Sequence, residues 1–200
     1  SQFGGDASLG AGVGTESSGS VIVSSPDSLA SGDLELRSGN ATTGSSGSIL
    51  VRSGDGVADK TSVGEISILG GEGSSASAMT LIASNSTAGD GGSLYMRSGE
   101  GLEDGGFVSV SAGSGLLQGG AMALTTGTAT VGASGAFELQ TGAAMSTGDM
   151  DIVSGSADEG LSGSVKVASG SSFADGSGSI FLQSGSSAVN SGAISLVSGV

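Results

Sequence analysis

Apolar and polar positions alternate along this chain in short bursts, and the bursts recur at a nearly fixed spacing. Each burst has the form Gly-x-Φ-x-Φ-x-Ser-Gly, with Φ mostly aliphatic or Met. Clear copies are Gly178-Ser179-Ile180-Phe181-Leu182-Gln183-Ser184-Gly185, Gly47-Ser48-Ile49-Leu50-Val51-Arg52-Ser53-Gly54 and Gly92-Ser93-Leu94-Tyr95-Met96-Arg97-Ser98-Gly99. The first Φ falls at Ala7, Val21, Leu34, Ile49, Ile66, Met79, Leu94, Val108, Met122, Phe137, Met150, Val165, Ile180 and Ile194. From 7 to 194 in thirteen steps, the mean repeat is about 14.4 residues, a period that marks a repeat architecture. The second Φ stands two residues further on, from Leu9 and Val23 to Leu182 and Leu196. A spacing of two puts both on one face of an extended segment. The small residue two beyond that, such as Ser38, Ser53, Ser98, Thr126, Ser169 or Ser184, shares the face and starts the corner.

The other face differs. Its central row runs Ser8, Ile22, Glu35, Leu50, Ser67, Thr80, Tyr95, Ser109, Ala123, Glu138, Asp151, Lys166, Phe181 and Ser195. So mixed a row faces water, and the alternation predicts half-buried strands. No helical period is visible. The 41 glycines, with abundant serine, further oppose helix. Gly/Ser-rich composition also describes flexible linkers and disordered low-complexity segments, but such segments lack a period-two apolar code. The core would be thin, with two inward Φ residues per copy. Backbone hydrogen bonding between stacked strands would therefore carry much of the stability.

The pattern predicts an all-β fold, a β-solenoid of stacked short parallel strands with one strand and one loop per repeat of about fourteen residues. Two coil sizes compete. A coil of one copy needs its loop of about eight residues to run back along a six-residue strand, at about 3.3 Å per residue. Val57, Leu102, Leu116, Phe173 and Ala188 would then line the opposite wall. A coil of two copies instead packs two sheets about 10 Å apart. An antiparallel sandwich with crossing loops is a third arrangement. Residues 1–200 read as one continuous array of about fourteen repeats. No capping repeat is visible at either end, and the chain opens on Ser1, which suggests a segment of a longer array or filament.

Copies such as Gly163-Ser164-Val165-Lys166-Val167-Ala168-Ser169-Gly170 resemble the Gly/Ser-rich β-solenoid repeat regions of large surface, fibre and adhesin-like proteins of algae and some bacteria. The resemblance spans nearly the whole chain. It implies an extracellular or cell-surface setting and a structural role.

Charge and chemistry narrow the function. The formal net charge is −14 and only five residues are basic, which repels nucleic acid and anionic membranes. No apolar run is long enough for a membrane span. With no His and no Cys, the common catalytic triads are excluded and no disulfide can form, so an enzyme is not expected. No cofactor is expected either. The acidic pairs Asp33 with Glu35, Asp149 with Asp151, Glu103-Asp104 and Asp158-Glu159 offer oxygens that calcium accepts, though no calcium-binding nonapeptide is present. Ice binding would need a regular outward Thr row. That row is broken by Glu35, Tyr95, Glu138, Asp151, Lys166 and Phe181. Asn40-Ala41-Thr42 and Asn85-Ser86-Thr87 match the N-glycosylation pattern. The exposed aromatics Tyr95 and Phe181 are candidates for lateral contact between molecules. Together these features suggest a structural repeat protein that forms an extracellular filament, stalk or adhesin rod by self-association, end to end or laterally. The competing reading is a binding module whose loops contact calcium, glycan or ice.

Overall fold

Closed loops recur along the chain. The computed structural model describes residues 4–56 and 62–199. Bends fall at 15–16, 29–30, 42–44, 74–75, 87–89, 102–103, 116–117, 130–132, 144–146, 158–160, 173–175 and 188–189, in step with the Φ period. Between bends the chain is extended, because exposure alternates with period two. Ile180, Phe181 and Leu182, for example, are 51, 82 and 64% exposed. The chain divides into two units, Ser1–Met96 and Arg97–Val200, and the same plan of extended segment and bend recurs in each.

Five backbone hydrogen bonds close loops at their necks. Gly19 N–H donates to Gly12 O at 2.9 Å, Gly92 to Ser84 at 2.8 Å, Gly106 to Gly99 at 3.0 Å, Gly120 to Gly113 at 2.8 Å, and Gly135 to Gly127 at 3.1 Å. In each case the residue that ends one copy meets the glycine that opens the next. At the Gly99–Gly106 neck the Ser98 hydroxyl adds a bond to the Gly106 carbonyl, at 2.7 Å. A loop of seven or eight residues with touching ends is a small self-packed loop of the Ω type.

This geometry corrects the expected fold. No helix or strand forms among the described residues, so the chain is not a β-solenoid. A one-copy coil needs loop ends separated by the length of a strand, about 20 Å for six residues. A two-copy coil needs them about 10 Å apart. Loop ends joined by a hydrogen bond of about 3 Å satisfy neither. The antiparallel sandwich fails as well, since among the described residues no ladder of hydrogen bonds extends beyond the necks. The loop residues expected to line an opposite wall do not. Leu102, Leu116 and Phe173 are fully exposed and Ala188 is exposed, while Val57 lies outside the described residues.

Nor is there a core among the described residues. The accessible surface is 20538 Å² for a mass of 18.6 kDa, about 2.5 times the ~8,200 Å² of a compact monomer of that mass. No described residue is buried. The best-covered positions are Ser25, Ser38, Ser53, Ala83, Ser98 and Ser184, all in the register two residues beyond the second Φ. A small residue sits there because the next opening glycine comes up against it. A Cβ placed on Gly47 would lie 3.5 Å from Ser38 Cβ, and one on Gly106 would lie 3.3 Å from Ser98 Cβ.

Candidate functional site

Two features repeat often enough to act as a site: the closed loops and the apolar rows between them. Two loop lengths recur most often, and within each a glycine register is shared by several loops. Loops whose necks are seven residues apart include Gly12–Gly19, Gly99–Gly106 and Gly113–Gly120, and each carries a second glycine two residues in, at Gly14, Gly101 and Gly115. There the carbonyl oxygen three residues on (Ser17, Asp104 and Gln118 respectively) occupies the space a Cβ would need. Loops eight residues apart, at 39–47, 84–92, 127–135 and 155–163, carry glycine five residues in. In two of them that glycine has positive φ, 107° at Gly132 and 94° at Gly160, a region that L side chains avoid.

Serine does equivalent work where the third loop position is not glycine. The Ser86 hydroxyl accepts the Gly89 N–H at 2.8 Å, Ser172 accepts Asp175 at 3.0 Å, and Ser187 accepts Val189 at 3.2 Å. These are short-range side-chain-to-backbone bonds that fix a turn without tertiary support. Sequence reading treated the corner glycines as one class. Aligning the loops by length would have separated them.

The apolar rows are half covered. In Ser1–Met96 the first Φ of the row includes Val21 and Ile66, each 50% exposed; in Arg97–Val200 the best-covered is Met150 at 45%. The second Φ is more open, and the opposite row more open again, with Tyr95 and Phe181 both largely exposed. Tyr95 and Phe181 therefore stand free on extended segments, one in each unit.

Charged groups lie at the surface. Arg37, Arg52 and Arg97 share one register, directly before the small residue, and reach Glu35 at 3.3 Å, Asp55 at 3.4 Å and Glu100 at 3.4 Å. Pairs this exposed contribute little to stability. Asp59 and Lys60 lie outside the described residues. Among the described residues no three carboxylates gather into a metal-holding group, so Asp33, Glu35, Glu103, Asp104, Asp149, Asp151, Asp158 and Glu159 remain separate pairs at most. An open hollow of about 490 Å³ is lined by Gly70–Glu72 and Ser75–Met79, and its only ionisable group is Glu72. Asn40 and Asn85 are exposed within the loops 39–47 and 84–92. No helix among the described residues is long and apolar enough to cross a membrane.

Compared with protein-family models, curated proteins and solved structures, the chain matches none.

Proposed function

We propose that this chain is a structural repeat segment of an extracellular filament, stalk or adhesin, and that it works by self-association through its apolar rows. One observation carries the reading. The first Φ stays about half exposed in copy after copy, and none is buried among the described residues. Fully burying one aliphatic side chain is worth about 1.5–3 kcal/mol, so a half-exposed one still offers on the order of 1 kcal/mol to a neighbour. Repeated along each unit, weak contacts of that size add up through multivalency. The negative charge fits this role, since it keeps single molecules soluble until contacts are numerous.

Sedimentation velocity over a concentration series tests the proposal. Growth of large species with concentration, and filaments in electron micrographs of native material, support it. A single monomeric boundary at every concentration overturns it.

A second reading draws on the loops. Several display a tip held by hydrogen bonds within the loop, and Leu102 and Phe173 are fully exposed in two of these. Such tips suit a binding module for a glycan, an ice surface or calcium. A stable monomer that binds one of these in calorimetry or thermal hysteresis would favour it over filament formation.

A further inference from the structure

We infer that Asn40 and Asn85 are acceptors for N-linked glycan and form one modification site repeated on two equivalent loops. The inference rests on the extracellular part of the function proposed above, but not on self-association. The acceptor pattern, Asn followed two residues later by Thr, occurs at both positions. The structure adds equivalence. Both asparagines directly follow the residue that ends a copy, Gly39 or Ser84, and from there each loop runs eight residues to the next opening glycine, Gly47 or Gly92. Each follows a second-row Φ by four residues, Leu36 and Leu81, and precedes the next first-row Φ by nine, Ile49 and Leu94. In both loops the bend begins at the pattern's threonine, at 42–44 and at 87–89, and includes the glycine at the fifth position, Gly44 or Gly89.

The site is open for chemistry. Asn40 and Asn85 are exposed, as are Thr42 and Thr87. The hydrogen bonds that hold the second loop use the Ser86 hydroxyl and the backbone N–H groups of Ala88, Gly89 and Gly92, leaving the Asn85 amide outside that set. A bulky, soluble glycan at these positions would project from a loop and not from the apolar rows. The chain also carries its own control. Asn190, the one other asparagine, occupies the fifth position of its loop and is followed by Ser191-Gly192, which breaks the pattern.

The test is secretion of the full chain from a eukaryotic cell, read by intact mass before and after digestion with peptide N-glycosidase. The expected result is a mass excess for two glycans that digestion removes, with Asn converted to Asp at 40 and 85 and not at 190. Asn40→Gln and Asn85→Gln should each lose one glycan, and the pair together both. Thr87→Ala should behave like Asn85→Gln, whereas Thr87→Ser should keep the glycan. A secreted wild-type chain of unmodified mass overturns the inference, and modification at one position alone overturns the equivalence of the loops. Sedimentation of the digested protein, measured separately, shows whether self-association stands or falls on its own.

Discussion

Gly101→Ala compared with Gly99→Ala tests the loop geometry directly. Both substitutions replace a glycine of the same loop, and both reduce the freedom of the unfolded chain, an effect of about 0.4–1 kcal/mol where the native backbone accepts Ala. Their surroundings differ. A Cβ on Gly99 meets nothing within 4 Å, whereas one on Gly101 collides with the Asp104 carbonyl oxygen. That oxygen belongs to backbone, so the turn itself must move. Its movement strains the neck bonds, Gly106 N–H to Gly99 O at 3.0 Å and Ser98 Oγ to Gly106 O at 2.7 Å. Each bond is worth about 0.5–1.5 kcal/mol net, and solvent exposure places these toward the lower end. With tenfold per 1.4 kcal/mol, losing the neck should speed exchange of the Gly106 amide by about 2- to 10-fold. Amide exchange followed by NMR reads this, with the Gly120 amide, donor at the neck of another loop, as an internal reference. Gly99→Ala should leave Gly106 unchanged. Equal Gly106 protection in the two variants, or equal loss in both, would refute the reasoning.

Three other outcomes follow from the same picture. Ile180→Asp places a charge in a first-row position that is half exposed, so it should weaken concentration-dependent sedimentation by about 5-fold or more, while exchange at the Gly120 and Gly135 necks stays as in wild type; unchanged sedimentation would remove the first row from the interface. Tyr95→Ser combined with Phe181→Ser should reduce lateral bundling in electron micrographs without altering those necks, and unaltered bundling would end the lateral role of the two aromatics. Raising salt from about 0.01 to 0.15 M shortens the Debye length from about 30 to 8 Å, so molecules of net charge −14 should associate more strongly; weaker association would mean that ion pairs hold the molecules together.

The repeat was legible in the sequence, and so was the face on which each Φ pair lies. The alternation of exposure through Ile180, Phe181 and Leu182 follows the sequence reading residue by residue. The architecture was not legible, because a period records how often a motif returns and not where the ends of its loop lie. A loop of eight residues between two extended segments can run back along a strand or close on itself. What separates the outcomes here is placement of glycine within the loop. Gly101 admits the Asp104 carbonyl and Gly132 takes a left-handed turn, and hydrogen bonds close the necks of both loops. The inward serine reads as the start of the corner, whereas the bends begin some four residues later, at 42–44 after Ser38 and at 102–103 after Ser98. That it would be better covered than the aliphatic pair was not foreseen, because its cover comes from a glycine in the next copy, as when Gly47 approaches Ser38. For the candidate site, motif alone points to Asn40 and Asn85 and the alternation to Tyr95 and Phe181, while the shared bend position in the loops of the two asparagines is visible only in the structure.

Self-closed loops have a consequence for how the array holds together. Each neck joins residues only seven or eight apart, so closing it orders a short stretch of chain. No copy then depends on its neighbour for that bond, and damage at one neck should remain local, with distant substitutions acting additively. In a stacked solenoid the interface between copies supplies the missing stability. Here, among the described residues, the row that would form that interface is half open to water. Under the self-association proposed above, cohesion would come from contacts outside the chain, repeating with the period that spaces the loops. Lengthening such an array adds further weak contacts of the same kind without changing any single one. Binding strength then grows with the number of copies engaged, more than with the quality of any one row.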